Sequence, residues 1–284
     1  MRAMEFLVGE KEYTVASVLR REGYSSRYIR KVKRAGMVLI DGREALYGDR
    51  IKAGQMLYIV LPEEKGVLPQ DVELNILYED ESILIVDKPR GILVHPTTKQ
   101  SVNTMANAIA AYLGGQQPVH LVSRLDKDTS GILIVAKNGH IKYLMSKLPV
   151  KKCYIAAVCG SFPAESGVID LNMARKEGSI IERVVDIKGK SAKTFYRVLK
   201  KYDDGKCLAE FELKTGRTHQ IRVHAAFMGC PLFGDWLYSN REDMQKYLLH
   251  AYRVSFCHPV SQKLVDIKIG LPDKFADIYG IIDL

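Results

Sequence analysis

Asp126 and Asp128 stand two residues apart in the run His120-Leu121-Val122-Ser123-Arg124-Leu125-Asp126-Lys127-Asp128-Thr129-Ser130-Gly131. Apolar residues Ile132 to Val135 follow, so the pattern reads as strand, polar loop, strand. Asp126 falls where the first strand ends, between Arg124 and Lys127. Cations that close favour the ionised carboxylate and predict a lowered pKa, by about 1–3 units. An ionised carboxylate can act as a nucleophile toward an electrophilic sugar carbon. The same residue types also build a turn in which Asp, Thr and Ser cap backbone amides, and Asp128 and Thr129 suit that turn better than Asp126 does. Glycoside hydrolysis would need two carboxylates at a set separation, and Asp126 and Asp128 are near neighbours with no further partner. An aspartyl-phosphate phosphatase pattern, Asp-x-Asp-x-Thr, fits poorly: the Thr comes one residue early, and a strand follows.

A second chemically distinctive stretch is cationic. Arg20 to Arg34 holds seven basic residues against one acidic, Glu22. Arg27, Arg30, Lys31 and Arg34 recur at i, i+3, i+4 and i+7, so a helix places them on one face. Ile29 and Val32 lie off that face and can anchor it. A solvated face normally mixes signs to form i,i+4 pairs. Four like charges instead favour an anionic partner, and contacts of this kind supply affinity without reading sequence.

The elements that would position these residues fall into two blocks. In the first, residues 1–61, Met4, Phe6 and Val8 alternate as in a strand. Thr14 caps a helix to Arg21, and Ser25 or Ser26 caps a second over Arg27 to Ala35 that stops at Gly36. Met37 to Ile40 and Arg43 to Leu46 form a hairpin about Asp41-Gly42, and Met56 to Leu61 is another strand. Residues 62–71, with Pro62, Gly66 and Pro69, read as a linker. The second block, residues 72–284, carries strands at Ile83–Val86, Ile132–Ala136, Tyr154–Val158, Ala192–Leu199, Cys207–Leu213, Tyr252–Phe256 and Leu264–Ile269. Helices are expected at Val102–Leu113, Gly139–Leu148 and Thr218–Met228. Strands outnumber helices without regular alternation. The expected class is therefore α+β, with a mixed, mainly antiparallel sheet and a small N-terminal α/β block.

Composition bounds the partners. The 284 residues are 47% hydrophobic and 26% charged, which is ordinary for a globular protein and excludes general disorder. The net charge of +9 suits a phosphate-rich partner. No stretch approaches the roughly 18 apolar residues of a spanning helix, so no membrane partner is expected. Met1 to Gly9 does not resemble a secretory signal. Cys153, Cys159, Cys207, Cys230 and Cys257 are scattered, without zinc-site spacing or a disulfide framework. They read as reduced thiols, and the expected location is the cytoplasm.

Two resemblances sharpen these readings. Ser25-Ser26-Arg27, the basic run to Gly36, Val38 to Gly42 and Gly48-Asp49-Arg50-Ile51 resemble the α-L RNA-binding motif, which implies structured RNA as the partner. Arg124-Leu125-Asp126-x-x-Thr129-Ser130-Gly131 resembles the signature of the RluA-type pseudouridine synthases. Three more segments agree: Val86-Asp87-Lys88-Pro89 with Gly91 and His95-Pro96; Lys152 to Gly160; and Leu213 to His224, followed by Pro231-Leu232 and Gly234-Asp235. Ser123 stands where the family usually has His, and Asp170 to Arg175 lacks a proline often found there.

The resemblance implies isomerisation of uridine in RNA, with base flipping and no cofactor or metal. It assigns Asp126 as the essential carboxylate, and leaves open whether it attacks carbon 1′ or removes the 2′ proton. Arg124 would brace the gap left by the flipped base, Tyr154 would stack on the uracil, and Arg217 would pair with Asp126. Lys88, Thr129, Lys152 and His219 would contact the RNA. Large-subunit rRNA is favoured over tRNA because a separate RNA-binding block is attached, and a monomer is expected. The competing reading is a non-catalytic RNA-binding or ribosome-assembly protein.

Overall fold

The computed structural model describes residues 2–9, 12–22, 24, 26–61, 66–115, 118–239, 247–273 and 275. Pro62 to Lys65 of the expected linker, the candidate cap Ser25 and the C-terminal residues 276–284 lie outside these.

The first 61 residues build their own small sheets. β1 (Arg2–Leu7), β3 (Met37–Ile40), β4 (Arg43–Ala45) and β6 (Met56–Leu61) join in the order β1-β6-β3-β4, and β2 (Tyr13–Thr14) pairs with β5 (Arg50–Ile51). Thr14 caps α1 (Val15–Arg21) by accepting from the Ser17 amide, and Ser17 returns the bond in a capping box. Asp41 and Gly42 both have positive φ, the conformation that a tight hairpin between β3 and β4 requires. In α2 (Ser26–Ala35), Ile29 and Val32 are buried against Val18, Leu19 and Ile59 while Arg30 and Arg34 face outward. Ser26 is the helix's first residue rather than its cap.

The larger body holds β7 (Asn75–Glu79), β8 (Ile83–Lys88), α3 (Met105–Tyr112), β9 (His120–Leu121), β10 (Ser130–Ala136), α4 (Gly139–Met145) and β11 (Lys151–Cys159). Then come β12 (Ser166–Asp170), β13 (Met173–Arg175), β14 (Arg183–Val185), β15 (Lys193–Lys201), β16 (Lys206–Leu213), α5 (Gln220–Phe227), β17 (Leu249–Cys257) and β18 (Leu264–Lys268). One sheet runs β12-β15-β16-β11-β17-β10-β8-β7, with β18 on β17 and β9 on β10; β13 and β14 form a separate hairpin. Among the described strand pairs only β10 and β17 run parallel, through Ser130↔His250 and Gly131↔Ala251. The mixed, mainly antiparallel α+β architecture is the one expected.

The central strands are buried on both faces, which explains their unbroken apolar runs. Leu133 and Val135 of β10 join Leu84, Val86, Tyr154, Ala156 and Phe211 on the face covered by α3 and α5. Ile132 and Ile134 join Ile83, Ile85 and Met145 on the face covered by α4. Gly131 is required where β10 meets β17. Its φ is +106°, and a Cβ there would lie 2.3 Å from the Ala251 carbonyl oxygen.

Candidate active site

The loop from Val122 to Thr129 connects β9 to β10 and hangs Asp126 over the α5-covered face of the sheet. Three contacts fix it. The Thr129 amide donates to the Asp126 carbonyl at 3.2 Å, and the Gly91 amide donates to the Lys127 carbonyl at 2.9 Å. Lys88 Nζ donates to the carbonyls of Pro89 (2.8 Å), Ile92 (2.7 Å) and Lys127 (3.0 Å), stapling the Asp126 loop to the turn after β8. Three acceptors match the three N–H bonds of an ammonium. Burial draws the Lys88 pKa down to about 8, which leaves it charged at neutral pH. Lys88 is 0% exposed, so it is a loop staple and not the RNA contact the family pattern suggested. Ser123, in the place of the family's usual His, is buried and accepts from the Ile134 amide at 3.2 Å. The exchange is thereby accommodated within the strand packing.

Asp126 opens into a cavity of about 250 Å³ whose walls include Arg124, Lys152, Tyr154, Arg217, His219 and Arg222. Among its described lining residues, Asp126 is the one carboxylate. A quarter of its side chain is exposed. Burial nevertheless raises its pKa; Arg222, then Arg124, oppose that rise, Asp235 adds to it, and Lys88 opposes it more weakly. The lowered pKa expected from Arg124 and Lys127 is therefore corrected. Loss of hydration on this wall outweighs its cations.

The cation nearest Asp126 is Arg222, not Arg217. Arg222 Nη1 lies 3.9 Å from Asp126 Oδ2, while Nε and Nη2 each donate to Asp235 at 2.7 Å in a bidentate fork. The guanidinium is sandwiched between the Tyr247 ring (4.3 Å) and the Tyr238 ring (4.9 Å). Asp235 is fully buried and also accepts from the Leu237 amide. Arg222 thus presents one edge to the cavity with no rotamer to lose, as a planar fork allows. Arg217 lines the cavity but is exposed, and its Nε donates to the Ser191 carbonyl at 3.0 Å. Arginine inside the apolar helix segment Ile221-Arg222-Val223 needs a buried anion, and Gly234-Asp235 supplies it. That was the available signal for this pair.

The remaining expected residues divide. Tyr154, on β11, lines the cavity and is 6% exposed. Burial, then the Asp126 charge, raises its pKa, so the phenol stays protonated at neutral pH. Lys152 lies two residues before it, on the same face of the strand, and also lines the cavity. Arg124 stands exposed at the rim. Thr129 is buried and its hydroxyl meets the Tyr247 hydroxyl at 3.3 Å, which makes it internal packing of the loop instead of an outer RNA contact. His219 precedes α5 in the left-handed region at φ 59°, pairs through Nδ1 with the Tyr238 hydroxyl at 2.8 Å, and sets Nε2 3.9 Å from Asp126. Burial, then Arg222, lowers its pKa to about 4, so it is neutral at pH 7. Gln220 ties the loop down: its Oε1 accepts from the Arg217 amide and the Thr215 hydroxyl, and its Nε2 donates to the Lys193 carbonyl. Among the described residues, no three His, Cys, Asp or Glu side chains gather as metal ligands would. On α2, Arg30 and Arg34 are exposed, Lys31 is half-buried, and Lys33 lies over the Tyr47 ring.

The fold is that of a pseudouridylate synthase domain. Two solved human structures share it: RNA pseudouridylate synthase domain containing 4, with a TM-score of 0.58 at 23% identity over 71% of this chain and 90% of that one, and domain containing 1, with 0.59 at 24% over 72% and 85%. Residues 82–227 match the family model described as RNA pseudouridylate synthase. An uncharacterized RNA pseudouridine synthase of Bacillus subtilis is 34% identical over 90% of this chain and 88% of its own length. Ribosomal large subunit pseudouridine synthase D of Neisseria meningitidis is 31% identical over 99% and 80%. This chain belongs to the RNA pseudouridine synthase family, in its RluA branch. It is an isomerase that converts uridine to pseudouridine in RNA.

Proposed function

We propose that Asp126 is the catalytic carboxylate of this reaction and that the substrate is large-subunit rRNA, bound by a monomer. The observation that carries the first part is the cavity itself. Its one described carboxylate faces a guanidinium that Asp235, Tyr238 and Tyr247 hold from behind. Support for the second part comes from the name of the Neisseria relative and from the exposed basic helix α2.

The target base must first leave its stack, at a cost of a few kcal/mol. Arg124 at the rim braces the vacated position, since its guanidinium can stack and donate at once. The uracil enters against Tyr154, and such stacking returns about 1–3 kcal/mol. The carboxylate of Asp126 acts at the ribose while Arg222 stabilises its charged form. The bond from nitrogen 1 to carbon 1′ breaks, the base turns, and carbon 5 bonds to the same carbon. The proton released from carbon 5 passes to nitrogen 1 through solvent or the neutral Tyr154 hydroxyl, so the reaction is balanced without a second substrate.

The test is mapping of pseudouridine in rRNA and tRNA after incubation with the wild-type protein or Asp126→Asn. New sites in large-subunit rRNA with the wild type alone support both parts. Product from Asp126→Asn refutes the assignment of the carboxylate, and sites confined to tRNA refute the substrate.

A further inference from the structure

Beside the Asp126 cavity lies a second, larger cleft of about 430 Å³. The two share Val122, Lys152 and Leu213, so one wall separates them. The floor of the second cleft is apolar, made by Met145, Leu148, Pro149 and Val150 at the end of α4 and the entry to β11. Its rim is cationic. Lys142 and Lys214 are exposed there, and Lys151 is paired with Glu212 at 3.0 Å. Lys152 differs from its neighbours. It is only partly exposed, and among the described residues its ammonium has neither a carboxylate nor a hydrogen-bond partner. Burial alone lowers its pKa, with no anion to offset it. A cation held in that state on a shared wall calls for an anion from outside, and the substrate's phosphodiester chain supplies one.

Taking the Asp126 cavity as the pocket of the target uridine, we propose that the second cleft receives the base of the adjoining nucleotide, with Lys152 gripping the phosphate that links the two. An apolar floor suits the face of a base by removing it from water, and the lysine rim suits the phosphates of the backbone that carries it. The arrangement makes two neighbouring nucleotides leave the stack together. It adds recognition beyond the reacting uridine, at a place formed by α4 and β11 and not by the basic helix α2.

The test uses uridine monophosphate and the dinucleotide pUpU, followed by methyl NMR of the full chain. Uridine monophosphate is expected to shift Leu249 and Ile221, which line the first cavity only. The dinucleotide is expected to shift Met145 and Val150 as well and to bind about tenfold more tightly, as burying the face of one added base on an apolar floor provides. Leu148→Trp, which fills the second cleft, and separately Lys214→Glu, should each reduce that ratio toward one and leave the affinity for the monophosphate unchanged. Saturation of Leu249 and Ile221 by pUpU with Met145 and Val150 unmoved overturns the second subsite and spares the reading of the first. No movement of either pair overturns both.

Discussion

Exchanging Arg222→Gln together with Asp235→Asn removes the charge that faces Asp126 without stranding a buried partner. The pair is the right unit to change, because taking away one member of a buried ion pair costs about 3–5 kcal/mol through the charge left behind. Arg222 Nη1 lies 3.9 Å from Asp126 Oδ2. Two unit charges at that distance attract by roughly 4 kcal/mol at an effective dielectric of about 20 and by roughly 1 kcal/mol in water. At ~1.4 kcal/mol per pKa unit, losing the attraction raises the carboxyl pKa by about one to three units. The Asp126 side chain is a quarter exposed, which favours the lower half of that range. The simultaneous loss of Asp235, whose charge pushes the same pKa up, takes back a further part. The expected result is an upward move of about one pH unit in the acid limb of the rate profile. The sign follows from the proposed role, in which the carboxylate is the active form: with less positive charge beside it, more alkaline solution is needed to ionise it. The assay is single-turnover pseudouridine formation as a function of pH, quantified by mass spectrometry. Arg222→Gln alone should move the limb further, in a less stable protein. A limb that stays put while the plateau falls would refute the reasoning, since the titrating group would then not be the carboxylate that Arg222 faces.

Three other outcomes are expected. Gly131→Ala places a Cβ 2.3 Å from the Ala251 carbonyl oxygen in a backbone that disfavours side chains, and should cost on the order of 3–5 kcal/mol; a melting temperature within about 2 °C of wild type would contradict this. His250 is neutral in the fold, bonded to Ser130 Oγ and the Gly270 carbonyl, and burial lowers its pKa from 6.5 to about 4. The unfolded chain therefore takes up a proton between those values, so stability is full above pH 6.5 and falls toward pH 4, by ~3 kcal/mol at most from this group. Urea midpoints for His250→Gln should be flatter across that window than for wild type, and equal slopes would exclude His250 as a source. Finally, Arg30→Glu with Arg34→Glu should lower the slope of log affinity against log salt by about two for structured RNA, one per lost phosphate contact; an unchanged slope means that α2 does not touch RNA.

How much of this was legible from the residues depended on whether the signal was local. The capped helix at Thr14, the hairpin at Asp41-Gly42 and the apolar run of β10 follow from neighbours in sequence, and all three form as read. β12, β13 and β14 went unread. Each is short and buries at most one side chain, Ile169 in β12 and Met173 in β13, so no alternation marks them. In the site, Asp126 and Tyr154 stand out by type and spacing, and both line the cavity. The partner of Asp126 was misread because Arg217 and Arg222 lie five residues apart in one motif. The apolar setting of Arg222 hints at a buried anion, and the fold shows that α5 turns it inward onto Asp235 while Arg217 stays on the loop. The raised pKa of Asp126 was hidden for the same reason. Charges beside it in sequence are visible, whereas the water removed by α5 and the sheet is not.

The parallel junction of β10 with β17 has a consequence for the timing of synthesis. Asp126 leaves the ribosome long before Ala251, the residue against which Gly131 must pack. Tyr247, which backs the Arg222 guanidinium, belongs to the same late segment. At about 5–20 residues per second, the gap between Asp126 and this segment lasts on the order of ten seconds. Throughout that interval the segment of α2 is already outside the ribosome, while the cavity around Asp126 lacks the strand and the tyrosine that back it. The central strand pairing therefore makes the cavity one of the last parts of the molecule to be completed, well after the N-terminal sheets can form.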